Sequence, residues 1–490
     1  MWLLLGAAAT LSSLLGERIP LNQGFGFEAF TVYKPITQHL PEYVARQEID
    51  SYTIQRVLPF VAAHYALRVL GLPLKGRYIL GFFQVYDLVA LALAVWLWLR
   101  LARDHEVSSS GQWLGFLGLF VNFAVMKLTF YYPVNIDTTA LLLGLVTLHA
   151  YQRNSLPGLL IVCLAGLFVW PTTILMGSLL LLFPPHFRWP ERPSPTPRLN
   201  TVLLLLVTLS VVLVFAYSLY EERVRPPSGG AETVQALLPL SLAMVAAYLY
   251  LGLRSLLGPL ALRGRAATEA VKGLLSPARL MALALLWTTY LLATRVLAAP
   301  GPPRLTASDY VVKYVSIGAV ARPAQFLVAH VAYYGPLLLL LVMRWPAVAR
   351  RLRRLGAGLS AAAALALLLG VNSESRQLVN FLPLLILPTA LVADELPRNR
   401  ALLPTMAAFA LILSKCWFPV NYAVAGLGKA GASFPTGVGS FLDFPAQAYF
   451  MNFGPWMSNG LLALQGAVVA AMGLWLQSRC LRAAPAGAVP

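Results

Sequence analysis

Apolar residues fall along this chain in long runs, near 1–16, 77–99, 112–131, 137–151, 157–169, 172–183, 200–220, 234–253, 278–298, 324–343, 356–371, 378–393, 401–417 and 459–478. Many approach the length of about 20 residues that a helix needs to cross the bilayer hydrocarbon. Lipid offers the backbone no hydrogen-bond partner, so such runs must satisfy their own amides as helices. They are too continuously apolar for the alternating strands of a membrane barrel. The pattern predicts an all-α, polytopic integral membrane protein of about 13–14 transmembrane helices. No composition shift divides it, so 1–490 reads as one transmembrane domain. The stretch 157–183 reads as two runs, or as one long span broken at Trp170-Pro171.

One segment interrupts the pattern early. Residues 17–76 are polar and charged, and end in an apolar stretch at 56–72 that still carries Arg56, His64 and Arg68. Its Leu, Val and Tyr positions recur at helical spacing, which predicts amphipathic juxtamembrane helix within the first external loop. A second long polar segment, 418–458, predicts a late external loop.

Composition agrees with the membrane assignment: 58% of residues are hydrophobic and only 11% charged, against about 25% charged in soluble domains. The net charge of +18 would point to nucleic acid in a soluble protein, but here the basic residues gather in short connections, so no nucleic-acid partner is expected. With the N-terminus in the cytoplasm, 20 of the 37 Lys and Arg fall in cytoplasmic connections, from Arg100 and Arg103 through Arg254–Arg279 and Arg344–Arg354 to Arg482. That bias sets orientation. It places both termini inside and 12 of the 19 acids outside, among them Glu28, Asp50, Asp137 and Glu374. Met1-Trp-Leu-Leu-Leu lacks a basic leader region and a small-residue cleavage site, so it reads as a retained first helix. The absence of visible internal repeats weighs against a transporter built from inverted halves.

Cys163, Cys416 and Cys480 and the six histidines show no metal-ligand spacing. Gly426-Leu-Gly428-Lys-Ala-Gly431 spells a dinucleotide fingerprint without the preceding strand that would give it meaning. Asp87 lies within an apolar run and needs a partner; Lys127, in another run, is the expected one.

Four outward features carry candidate chemistry. They are Gly24-Phe-Gly-Phe-Glu28-Ala-Phe with Asp50-Ser-Tyr-Thr-Ile-Gln-Arg56-Val-Leu-Pro59, then Tyr131-Tyr-Pro133-Val-Asn135-Ile-Asp137, then Glu374-Ser-Arg376 ahead of Pro383, and Lys415-Cys-Trp417. In their order and common side, the chain resembles the GT-C superfamily of membrane glycosyltransferases over about 1–200 and 360–400. The resemblance implies a GT-C-like fold and inverting transfer of a sugar from a polyprenyl-phosphate carrier to a glycan, lipid or protein acceptor at the outer face of a bacterial inner membrane. It implies a first-loop acid acting as base or holding a divalent cation, magnesium or manganese, for it. The family pattern Gly-Tyr-Asp-Gly-x-Tyr-Tyr aligns its acid with Gly26. Either Glu28 or Asp50 has therefore taken the catalytic role, or transferase chemistry has been lost.

Glycosyl transfer needs a carboxylate to deprotonate the acceptor and cations to steady the leaving phosphate. Arg56, Arg376 and Lys415 are the expected phosphate-binding cations, with Glu374 and Asp137 orienting them or the sugar. The alternatives are a lipid-linked saccharide transporter, flippase or polymerase-like protein, and a degenerate membrane subunit. Asp50 also suits a helix cap, and Asp137 the positive end of a helix.

Overall fold

The computed structural model describes residues 1–15, 17–19, 21–26, 29–188, 197–221, 235–260, 276–301, 315–396, 399–417 and 459–481. Among these residues every regular element is helical. Glu28 and the 418–458 loop lie outside the described residues.

Each apolar run is met by helix, but fewer helices reach spanning length than the run count implied. Among the described residues four are long and apolar enough to cross a membrane: Gly76–Asp104, Asn200–Ser218, Leu238–Leu257 and Pro277–Leu297. Ser109–Phe120 with Ala124–Tyr131 makes a fifth, bent by 50°. Others, such as Leu156–Gly166 and Thr173–Leu182, have only 11 and 10 residues, or about 15 Å of rise. These two form an antiparallel hairpin, with Gly166 against Thr173 and Gly177 against Cys163. The single broken span at Trp170-Pro171 is thereby excluded.

Two interruptions have identifiable causes. Between Phe120 and Ala124 the backbone leaves helical geometry, and Asn122 bridges the gap. Its amide donates to Gly118 O (2.9 Å) while its carbonyl accepts from Val125 N (3.1 Å). The 324–343 run breaks at Gly335-Pro336, where Gly335 has φ +85°. A residue with a Cβ is strained there, and proline cannot donate to the preceding turn. Gly335 sits beside Val121 and Asn122, so the two breaks pack against each other.

Contacts between connections sort into two groups, joined by the helices. One holds the acid-bearing segments: Ile19 N donates to Tyr131 O (2.8 Å), Leu58 N to Phe168 O (2.9 Å), Ala299 N to Ile49 O (2.8 Å) and Thr172 to Asn380. The other is rich in arginine: Arg153 pairs with Asp104, Arg279 donates to Leu181 O and Asn154, Arg353 to Ser255 O, and Arg351 pairs with Glu395. There Trp345–Leu355 forms an extra amphipathic helix that buries Trp345, Val348 and Leu352; its arginines read from sequence only as connection anchors. In the first group, 29–69 folds into short helices ending in Leu58–Val69, as expected. This last helix buries Phe60, Ala63, His64 and Leu67 while exposing Tyr65 and Val69.

The expected Asp87–Lys127 pair does not form. Lys127 reaches back to Glu17 at the base of the first helix, at 3.2 Å. Asp87 faces Asp137 and Thr138 across the contact between Gly76–Asp104 and Asp137–Gln152. Lysine at 127 has an acid nearer its own end of the bundle, and the first-loop fold delivers it.

Candidate functional site

Asp137 is the first residue of its helix and is buried. The helix dipole favours a carboxylate there, but burial demands a counter-charge. Arg376 supplies it, donating from Nη2 (2.8 Å) and Nε (3.2 Å) to Asp137 Oδ1. The same Nη2 donates to Asn135 Oδ1 at 2.5 Å. Tyr333 donates its hydroxyl to the other Asp137 oxygen at 3.1 Å, and the Trp170 ring lies 5.7 Å from the guanidinium.

Arg376 reaches this point because the segment bearing it is clamped. His330 bonds Gly370 O (2.7 Å) and the Ser375 hydroxyl (2.9 Å), and Tyr334 donates to Ser375 O (2.7 Å). A carbonyl only accepts, so His330 Nε2 carries the proton and Nδ1 accepts from Ser375. On the other side, Asn380 O presses against Gly144, where a Cβ would come within 2.3 Å. Only glycine at 144 lets this backbone settle on the Asp137 helix.

Glu374, half-buried, feels Arg376, Arg56 and Asp137 at once. Burial, opposed by Arg376, pushes its carboxyl above the ordinary 4.5. Such a group adds stability at low pH and loses it as pH rises from 4.5 through its folded value. Glu374→Gln is expected to abolish that decline, leaving the variant more stable than the parent at neutral pH. Unfolding midpoints in detergent across a pH series will check this, and a parental slope in the variant would refute it.

Arg56 stacks on the Tyr52 ring (3.9 Å) and donates to Tyr52 O (3.3 Å). Asp50 holds that turn. Its carboxylate accepts from Tyr52 N (2.9 Å), Thr53 N (3.0 Å) and the Thr53 hydroxyl (2.6 Å), making it the cap of Ser51–Ile54. Asp50→Ala is expected to cost about 1 kcal/mol of stability and to loosen the Ser51–Ile54 turn that carries Arg56. A thermal unfolding scan measures the loss, and a parental midpoint would contradict the capping role.

Lys415 ends its helix in left-handed geometry (φ 52°), its ammonium 5.5 Å from the Phe123 ring. Phe123 packs 5.6 Å from Tyr333, so Lys415 borders the same cluster, and burial pulls its amine down to about 7. A cavity of about 10 Å³, room for one water, opens beside Asp137, Asn122, Thr129 and Thr138.

Arg56, Asp137, Glu374 and Arg376 thus converge, whereas Lys415 lies by the neighbouring Phe123 ring and Asp50 is occupied in its own turn. Asn135, Trp170, Tyr333 and His330 join them without having been singled out by sequence. Asn135 was marked only by lying two residues before Asp137, and Tyr333 by preceding the Gly335-Pro336 break. Among the described residues no three His, Cys, Asp or Glu cluster as metal ligands. The chain matches no family model, no curated protein and no solved structure.

Proposed function

We propose that this is a polytopic membrane glycosyltransferase that takes a sugar from a polyprenyl-phosphate donor and passes it to an acceptor outside the cytoplasm. The observation that carries the proposal is the convergence of Arg56, Asp137, Glu374 and Arg376, drawn from three distant segments, at the bundle end opposite the arginine-rich connections. Three helices support that sidedness. Each ends with an arginine over an aromatic ring four residues earlier: Trp96 and Arg100 (5.5 Å), Tyr250 and Arg254 (5.8 Å), Trp475 and Arg479 (5.8 Å). Aromatic belts and snorkelling arginines favour such an interface, which is assigned here to the cytoplasmic leaflet. The shorter apolar helices cross as paired or broken spans.

In the transfer, the acceptor hydroxyl oxygen bonds to the anomeric carbon as the carbon–oxygen bond to the lipid phosphate breaks. The phosphate departs with that electron pair, and the hydroxyl proton passes to a carboxylate. Arg56 and Arg376 offset the charge developing on the phosphate. Asp137 is committed to Arg376 and Tyr333, and Asp50 to its cap. Of the described carboxylates, Glu374 is the one that faces both Arg56 and Arg376 without being committed as Asp137 is, and it is the assigned base; Glu28 keeps its candidacy from the first loop. A divalent cation at the first-loop acid belongs to the same proposal. The test is sugar transfer from a radiolabelled polyprenyl-phosphate sugar by purified protein. Parental rates in both Glu374→Gln and Glu28→Ala would end the base assignment, and no transfer to any acceptor by the parent would end the function.

The helix breaks packed together at Asn122 and Gly335 favour a second reading, since transporters build sites from discontinuous helices. Uptake of a lipid-linked saccharide into proteoliposomes without consumption of its sugar bond would select it.

A further inference from the structure

Among the described residues, two hydrogen-bond donors beside Arg376 have no acceptor. Trp170, 1% exposed, leaves its indole Nε1–H without a partner, and Asn135, 6% exposed, leaves its side-chain Nδ2 without one. The amide orientation of Asn135 is determined, because its oxygen accepts from a guanidinium that can only donate. Both orphan groups flank one cation: Asn135 touches Arg376 directly, and the Trp170 ring lies 5.7 Å from it. Buried polar groups are nearly always paired, and leaving them bare is costly. An indole N–H and an amide NH2 can do nothing but donate. What is missing is an acceptor.

We infer that Trp170 and Asn135 supply neutral donors that grip a phosphoryl oxygen of the substrate, while Arg376, beside that phosphate, also holds Asn135 and Asp137 in place. This refines the proposed function and rests on it for the identity of the ligand. Charge favours an anion over a neutral oxygen. Asp137 is matched by Arg376, and Arg56 adds a further positive charge beside Glu374. Donors fixed in a low-dielectric site bind an anionic oxygen more strongly than a neutral one. The arrangement differs from a phosphate held by arginine alone: each neutral donor adds direction, and the guanidinium is already engaged with Asp137.

The experiment is ligand-dependent thermal stabilisation of the full-length protein in detergent. The probes are farnesyl phosphate, farnesol and inorganic phosphate. Farnesyl phosphate is expected to raise the unfolding midpoint and farnesol to leave it unchanged; stabilisation by inorganic phosphate alone would assign the site to the free ion. Trp170→Phe removes the N–H and keeps a ring, and should weaken apparent affinity about tenfold. Asn135→Asp keeps the acceptor for Arg376 but replaces the donor with negative charge, and should weaken it about a hundredfold. If one variant does not fold, the other decides. Parental affinity in the folded variants, or a parent indifferent to both phosphates (water only in the site), overturns the inference. Phosphate binding that both substitutions abolish, in a parent unable to transfer sugar, would uphold the inference while ending the transferase assignment.

Discussion

Arg376→Ala is expected to abolish measurable sugar transfer and to destabilise the protein by about 3–5 kcal/mol, the usual cost of leaving one charge of a buried pair uncompensated. The effect should exceed that of any other single site change, because one guanidinium serves Asp137 and Asn135 and lies beside Trp170. Losing it strands a buried carboxylate and frees the Asn135 amide to turn. Arg376→Lys keeps the charge but cannot reproduce the forked contact, so stability should recover more than activity. Asp137→Asn combined with Arg376→Ala should be less unstable than the sum of the two, since the stranded charge disappears with its partner. Denaturation midpoints for the four proteins, with transfer rates alongside, measure the coupling. Additive losses would show that the two side chains act independently, and the site as described would fall.

Gly26→Asp introduces the acid that the GT-C pattern this chain resembles carries at this position, yet it is expected to damage the protein rather than improve it. Gly26 has φ +67°, and a Cβ there would lie 2.7 Å from the Tyr132 ring. Left-handed geometry costs a residue with a Cβ about 1–2 kcal/mol, and forcing a packed ring aside costs about 1–3 kcal/mol more. The Asn22 amide also donates to Gly26 O at 2.6 Å, so the turn resists relaxing. A lower unfolding midpoint with no gain in transfer is the expected result. A variant as stable as the parent and faster in transfer would show that position 26 can seat the base.

The contrast at Gly26 explains why some of the site was legible and some was not. The charges themselves stood out, because ionisable residues are costly near lipid and few are found there. Asp137, Glu374, Arg376 and Arg56 could be singled out by type and by their shared side of the apolar runs. Asp50 showed both a capping and a catalytic signature, and three hydrogen bonds inside its own turn make it the cap of Ser51–Ile54. Lys127 was matched to the wrong acid because apolar runs carry no information on which helix lies beside which. Its partner Glu17 comes from a connection 110 residues away.

Helicity, the apolar character of the spans and the segregation of arginine to one set of connections follow from the order of residues alone, since period, hydropathy and charge are local properties. Span length did not follow as well: the run at 324–343 looks continuous, but Gly335-Pro336 ends one helix and starts another. The pairing of Arg376 with Asp137, the clamp formed by His330 and Tyr334, and the orphan donors of Trp170 and Asn135 belong to the tertiary structure. Each depends on backbones brought together across more than a hundred residues or around a helix break. Side-chain chemistry says what a group can bind, and only packing decides which groups share a space small and dry enough for that binding to matter.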